Sequence, residues 1–292
     1  MRMDSCLSGQ KADEMPETPV LAVFTADWHT NSIVGLNPPQ YQREHGSAWT
    51  PGKVGRAKWR AWLEFWEMMA EKKAKHGATC CAFVAGDVGD KNLKTAVELI
   101  STYDPDIIRA MQDVGEPMIA VADKVFVYRG TATHSGGNGE LEELYARSIG
   151  AEPDERRGYV SWFAGRHELG GVVFEVTHRP PTRGTLPYTE DPAVARAALI
   201  VATRYMKQRQ ARCVPDVCVW AHVHYKGEGH GLGVHGFFLP PWQTTTAYGY
   251  GLGVGDLPVE IGGLWFLCQD GRYGWDWETW TPEKLETWRP TT

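Results

Sequence analysis

The segment VLAVFTADWHT, residues 20–30, combines a strand signal with two side chains that bind metal ions. Its apolar run from Val20 to Phe24 predicts a buried β-strand, and Asp27 and His29 follow just past the end of that strand. A carboxylate and an imidazole two residues apart at a strand exit can reach one metal ion. Taken alone the pair is weak evidence, because ordinary loops contain Asp-x-His more often than metal sites do. The rest of the chain strengthens it by repeating the arrangement.

Similar side chains follow four more segments that read as strands or extended chain. The apolar run at residues 79–85 exits into Gly86-Asp87, and the later exits carry His134, His178 and the pair His222 and His224. In layered α/β folds, sites gather beyond the carboxyl ends of strands, where loops converge on a rigid sheet. Each histidine alone is more simply a surface or capping residue. As a set at successive strand exits, they predict one shared site.

The residue types in this set indicate which metals would bind. Aspartate and histidine without cysteine suit Mn²⁺, Fe, Zn²⁺ or Ni²⁺ better than Ca²⁺ or an all-oxygen Mg²⁺ site. Mn²⁺ is the first choice among these metals. The candidate ligands are more numerous than one tetrahedral ion needs. Two divalent ions about 3.5–4 Å apart, bridged by one carboxylate, would use them all. The sequence therefore predicts a dinuclear centre.

Length and composition limit the class of protein. The 292 residues carry 42% apolar and 23% charged side chains, as in a globular protein. No internal repeat or linker is evident, so we expect one domain over residues 18–292 after a disordered lead-in at 1–17. The lead-in lacks a signal-peptide core, and no apolar run reaches the ~18 residues of a membrane span. The net charge of −6 argues against a broad basic surface for nucleic acid.

The cysteines indicate the compartment, and hydrophobic periodicity predicts the remaining elements. Six cysteines without a CxxC pair favour a reducing cytoplasm. Residues 53–75 and about 141–149 read as helices, as does the segment after Asp191-Pro192. Helical segments are expected in 92–113, extended chain in 117–130, and paired strands at YVSWF (159–163) and GVVFEVTHRP (171–180). IGGLWFL and YGWDWETW around a QDGR turn predict a C-terminal hairpin.

The motifs together resemble the calcineurin-like metallophosphoesterase superfamily in order and spacing. The resemblance lies in Asp27-x-His29, Gly86-Asp87-x-x-Asp90, the motif led by Gly130, the lone His178, and His222-x-His224. More narrowly, NPP (37–39), RGTATHSGG (129–137) and PPWQTTTAY (240–248) resemble phage-encoded members. The resemblance implies an α/β (α+β) fold, a four-layer αββα sandwich of two mixed β-sheets flanked by helices. It also implies a host-cytoplasmic location.

The resemblance also implies which ligands hold each of the two ions. One ion would be held by Asp27, His29 and His224 and the other by His178 and His222, with Asp87 bridging the two.

Two motifs depart from the family pattern. Ala221 stands where the last motif has glycine, and Thr131 stands where the family has a ligating asparagine. His134, three residues after Thr131, either ligates the second ion or acts as general acid beside the leaving group. Asp90 would orient an imidazole, that of His29 or of His134.

The predicted function is a dinuclear metal-dependent phosphoesterase that hydrolyses a phosphodiester or phosphomonoester through a metal-activated hydroxide. Its partner would be a phosphate-ester substrate, namely a small molecule, a nucleotide or nucleic acid, and the oligomeric state is left open. One alternative is a nuclease acting on DNA or RNA. Another is a catalytically degenerate metal-binding or interaction module, supported only by the altered third motif. The nuclease alternative rests on arginines near the motif loops: Arg43, Arg129, Arg166, Arg179 and Arg183.

Overall fold

The computed structural model describes residues 18–92, 98–182, 190–246 and 259–282. The expected lead-in at 1–17 and Arg183 lie outside these ranges. Within these ranges, ten strands form two sheets of five strands each. The first sheet contains β1 (Val20–Thr25), β2 (Thr79–Val84), β3 (Lys124–Val127), β9 (Ile261–Gln269) and β10 (Arg272–Trp280).

The first sheet is mixed, with strand order β10-β9-β1-β2-β3. Strands β1, β2 and β3 run parallel, so their carboxyl ends lie at one edge of the sheet. Strands β9 and β10 form the predicted C-terminal hairpin, and β9 pairs antiparallel with β1. Both faces of β1 are buried, with Leu21 and Val23 in the core below the helices and Ala22 and Phe24 in the core between the sheets, which is why its apolar run is continuous rather than alternating.

The second sheet has strand order β4-β5-β6-β8-β7 and is also mixed. Its parallel centre, β5, β6 and β8, is flanked by antiparallel edge strands. The carboxyl ends of β5 and β6 lead directly into His178 and into the His222 loop. Its strands are β4 (Ala164–Leu169), β5 (Val172–Thr177), β6 (Val217–Trp220), β7 (Gly227–Gly231) and β8 (Val234–Phe238).

Three apolar cores separate four layers. One core joins the outer face of the first sheet to the first, second and fourth helices, and aromatic rings such as Phe24 and Phe83 fill the space between the sheets. A third core lies between the fifth helix and the outer face of the second sheet. This confirms the predicted four-layer αββα sandwich. The helices are α1 (Lys53–His76), α2 (Asp104–Val121), α3 (Ala132–Ser135), α4 (Glu140–Ser148) and α5 (Glu190–Lys207).

Residues 117–130 were expected to contain one or two extended pieces, and β3 is one of them, although α2 first continues through Pro117 to Val121 because its buried Val114 and Met118 pack on the core. One element prediction is wrong. YVSWF lies outside the paired strand, and the partner of β5 is β4. Its aromatic residues serve another contact, since Tyr159 and Phe163 each lie 4.2 Å from the Arg129 guanidinium. Within the described ranges, no helix has the length and apolarity that crossing a bilayer requires.

Candidate metal centre

The predicted ligands lie in strand-exit loops whose backbone is unusual. Five of them have left-handed φ values, a conformation that costs on the order of 1–3 kcal/mol outside glycine. Backbone hydrogen bonds hold the loops in place: Asp27 N–H donates to Gly86 O at 3.0 Å, and His29 N–H donates to Asp87 O at 2.9 Å. Strain concentrated in this way indicates a functional site. The five φ values are Asp27 51°, His29 45°, Asp87 48°, His222 72° and His224 59°.

Asp27, His29 and His224 bring three ligand atoms together. His29 Nε2 lies 3.3 Å from His224 Nε2, and Asp27 Oδ1 lies 3.8 Å from the first and 3.4 Å from the second. Ligands about 2.1 Å from a tetrahedral ion are about 3.4 Å apart, so the set has the size of a metal site. Asp27 Oδ1 is buried and has no hydrogen-bond partner among the described residues, which a cation would supply.

Asp87, His178 and His222 form a second group, whose ligand atoms lie within 4.8 Å of one another. His178 Nδ1 lies 2.7 Å from Ala85 O, and a proton on Nδ1 leaves Nε2 with a lone pair. That Nε2 is 3.1 Å from Asp87 Oδ2 and makes no hydrogen bond within the described part of the chain. Two lone-pair atoms this close repel unless a proton or a cation lies between them. The donor set therefore fits a second divalent ion.

The pKa values of the second group reflect the close approach of its imidazoles to the Asp87 carboxylate. Burial alone would lower the pKa of His178, but the Asp87 carboxylate outweighs it and raises that pKa to about 9. Burial would raise the pKa of Asp87, yet His178 holds it well below its usual range. Burial and the nearby His178 lower the pKa of His222 to about 4, which keeps its lone pairs available.

Thr131 holds Asp87 in place. Its backbone N–H donates to Asp87 Oδ1 at 2.6 Å, and its hydroxyl lies 3.2 Å from both carboxylate oxygens. The preceding Gly130 permits this approach, because a Cβ there would lie 2.0 Å from Asp87 Oδ1. Thr131 therefore orients the carboxylate of the second group, the one that the resemblance implies as the bridge. From the sequence, Thr131 indicated only that the ligating asparagine of the family is missing.

His134 contacts Asp90, and with His29 and Asp90 it forms a further group whose ligand atoms lie within 4.8 Å of one another. His134 Nδ1 is 3.1 Å from Asp90 Oδ1, and the other oxygen of Asp90 is 3.4 Å from His29 Nδ1. The expectation that Asp90 orients His29 or His134 is thus met by contacts to both imidazoles. Burial lowers the pKa of His134, but Asp90 and the further carboxylates outweigh this and raise it above its usual range. His134 Nε2 is left as the nitrogen that can exchange a proton with a ligand.

No protein-family model matches this sequence, and neither does any curated protein. Among solved structures, Vps29 from Cryptosporidium parvum is 13% identical over 91% of this chain and 100% of that chain, with a TM-score of 0.39. A Streptococcus pneumoniae protein described as a predicted phosphoesterase is 11% identical over 90% of this chain and 91% of its own, with a TM-score of 0.38. Vps29 from Entamoeba histolytica, complexed with Zn²⁺, is 12% identical over 89% and 98%, with a TM-score of 0.38. The chemistry of the site therefore has to be argued from its own residues.

Glu142 is a site residue that the motifs did not identify. It is fully buried on α4, where Ser135 Oγ donates to Oε1, and Oε2 has no hydrogen-bond partner among the described residues. Burial and the nearby Asp87 raise the pKa of Glu142 to about 7. The available signal was its position: a glutamate next to Leu141 on the helix face that buries Tyr145 and Ala146.

We expect Glu142 to make metal-free protein less stable at alkaline pH. A carboxyl with a folded pKa near 7 and an unfolded pKa near 4.5 stabilises the fold below pH ~4.5, and this contribution is lost as pH rises through 7. Between pH 5 and 8.5, the wild type should lose roughly 2–3 kcal/mol more unfolding free energy than Glu142→Gln. Urea unfolding after chelation measures the difference. Glu140→Gln, an exposed change on the same helix, is the control, and equal losses in all three proteins would contradict the expectation.

Proposed function

We propose that this chain is a dinuclear metal-dependent phosphoesterase of the calcineurin-like type. The observation that carries the proposal is the convergence of two ligand groups at strand exits of both sheets, Asp27–His29–His224 and Asp87–His178–His222. They coincide with the two groups that the sequence resemblance implied. When bound, two divalent ions lower the pKa of coordinated water and stabilise negative charge on a phosphoryl group.

We assign His134 the role of general acid rather than of ligand. Its Nδ1 lies 3.1 Å from Asp90 Oδ1, and that carboxylate favours a proton on the imidazole. His134 is not part of the two groups that carry the proposal, although it forms a further group with His29 and Asp90. Its raised pKa favours the protonated imidazole, which can give its proton to a departing alkoxide. Asp90 is then a positioning residue for His134 and for His29.

A cavity beside His178 supports a small substrate. It has a volume of about 470 Å³, and its lining includes Arg179, Arg204 and the ring of Phe163. Two guanidinium groups suit an anionic ester, and an aromatic ring suits a base or other flat group. We therefore favour a small phosphodiester or a nucleotide as substrate.

The nuclease alternative has less support from the arginines on which it was based. Arg43 donates a hydrogen bond to Ser47, and Arg166 donates one to the carbonyl of Cys213. Arg129 donates to Ser161, and the rings of Tyr159 and Phe163 cover its guanidinium. These contacts occupy the side chains within the protein. A nucleic-acid groove needs guanidinium groups that are free to reach successive phosphates.

Further parts of the proposal rest on sequence alone. Mn²⁺ is the proposed native metal because the donor set mixes imidazole with carboxylate. The resemblance of the NPP and RGTATHSGG segments to phage-encoded enzymes supports a phage origin and action in the host cytoplasm.

A panel of chromogenic phosphomonoesters and phosphodiesters tests the function. We expect turnover with Mn²⁺, faster for diesters, and a fall to background after chelation and dialysis that Mn²⁺ reverses. Turnover unchanged by thorough chelation would refute the metal mechanism, and hydrolysis of monoesters alone would refute the diester preference. Two bound ions without turnover on any ester would favour the degenerate module instead.

A further inference from the structure

Strand β7 carries side chains on only one of its faces. Its sequence is Gly227-Glu228-Gly229-His230-Gly231, so glycine occupies every position on the face toward α5. A Cβ at Gly229 would lie 2.6 Å from Ala195 N, and one at Gly231 would lie 2.3 Å from Leu199 N. Helix α5 therefore packs directly on the backbone of this edge strand. The only side chains of β7, Glu228 and His230, project together from the opposite face.

A third polar side chain joins them from the neighbouring strand. His235 of β8 is the direct cross-strand partner of His230, and their rings stack with centroids 3.8 Å apart and an interplanar angle of 20°. Glu228 Oε1 lies 2.7 Å from His235 Nε2 and 3.9 Å from His230 Nε2. Two imidazoles and one carboxylate thus meet on a single hairpin face. The side chain of His230 is 67% exposed, so it can turn to bring its nitrogen closer.

The surroundings of the cluster suit a cation. The hydroxyl of Tyr273 lies 3.0 Å from His235 Nδ1, where it can accept the Nδ1 proton and leave Nε2 as the ligating nitrogen. Lys226, which lines the adjoining cleft, pairs with Glu260 at 2.7 Å. Glu260 therefore partly neutralises the charge of Lys226, so that this lysine does not compete with a cation for Glu228. A cleft of about 350 Å³ lined by Lys226, Glu228, His230 and Trp277 adjoins the cluster and gives an ion access from solvent.

We propose that Glu228, His230 and His235 form a separate binding site for one Zn²⁺ ion. Two histidines and one glutamate are a known zinc-binding set that leaves the fourth position open to water. The site is remote from the proposed dinuclear centre, because His235 pairs with Val217 at the start of β6 whereas His222 follows the end of β6. The ion would cross-link β7 to β8. The inference does not rest on the proposed phosphoesterase function.

Counting bound Zn²⁺ on the full chain tests the site. After equilibrium dialysis against Zn²⁺, His230→Ala should hold one ion fewer per chain than its parent, both in the wild type and in an Asp87→Asn background. Because the readout is a difference of one ion, it stands whether or not the dinuclear centre forms. His76→Ala, which removes an exposed imidazole at the end of α1, is the matched control and should lose none.

Two further readouts separate coordination from a plain Glu228–His235 hydrogen bond. Zn²⁺ should raise the melting temperature of the Asp87→Asn parent, and this rise should shrink in His230→Ala. Tyr273→Phe should retain the ion but bind it roughly tenfold more weakly, as expected for a residue that orients a ligand. If His230→Ala binds as many ions as its parent with equal affinity, or if His76→Ala loses as many, the site does not exist.

Discussion

Asp87→Asn is expected to abolish phosphoesterase activity and to reduce the dinuclear centre from two ions to one or none. Asp87 belongs to the second ligand group and is the proposed bridge to the first: its Oδ2 faces His178 Nε2 at 3.1 Å, and its Oδ1 is held by Thr131. Asparagine keeps the shape but removes the negative charge and one lone-pair oxygen. Since a bound metal pair would contribute several kcal/mol to stabilising the transition state, we expect the rate to fall by roughly 10³-fold or more.

The control for Asp87→Asn is the same substitution at a buried carboxylate outside the centre. Asp154 is fully buried and pairs with Arg157 at 2.7 Å, so Asp154→Asn can reveal a general cost of removing a buried charge. It should keep both ions and its activity. Metal analysis by mass spectrometry together with diester turnover gives the comparison. Two ions per chain at full occupancy in Asp87→Asn would show that Asp87 does not bridge.

Local sequence patterns predicted the strand ends that the candidate ligands follow. An apolar run followed by Asp27 and His29 predicts a buried strand and a polar exit, and parallel pairing of β1 with β2 brings the Asp87 exit beside it. Gly86 and Gly130 mark points of close approach, which only a small residue permits. The four-layer sandwich followed from the resemblance, and the sheet topology confirms it.

The orientation of the site depends on contacts between distant segments, which local patterns do not encode. Thr131 looked like a lost ligand, and only the fold shows its hydrogen bonds to Asp87, 44 residues earlier in the chain. Asp90 was expected to orient one imidazole, and the packing of α3 beside the β1 exit lets it contact two. The aromatic residues of YVSWF suggested a strand because propensity does not distinguish sheet packing from rings that cover an arginine.

The sequence left two roles open for His134, metal ligand and general acid. His134 is not a member of the two groups that we propose to hold the ions, and this favours a proton donor, whereas its grouping with His29 and Asp90 is what a ligand role would use. We expect His134→Asn to keep both ions and to lose roughly 10²–10⁴ in turnover of esters with poor leaving groups. Nitrophenyl esters should be much less affected, because a stable leaving group needs little protonation. The slope of rate against leaving-group pKa should therefore become steeper.

The pH dependence of the reaction supplies a second, independent readout for His134. A general acid works only while it is protonated, so wild-type turnover of esters with poor leaving groups should fall at alkaline pH. The fall should occur above the ordinary histidine pKa, because Asp90 and the other nearby carboxylates raise the pKa of His134. In His134→Asn this alkaline fall should disappear. His76→Asn, a change at an exposed histidine, should retain the wild-type profile. Loss of one ion from His134→Asn would instead identify His134 as a ligand, and a wild-type rate with both ions bound would exclude both roles.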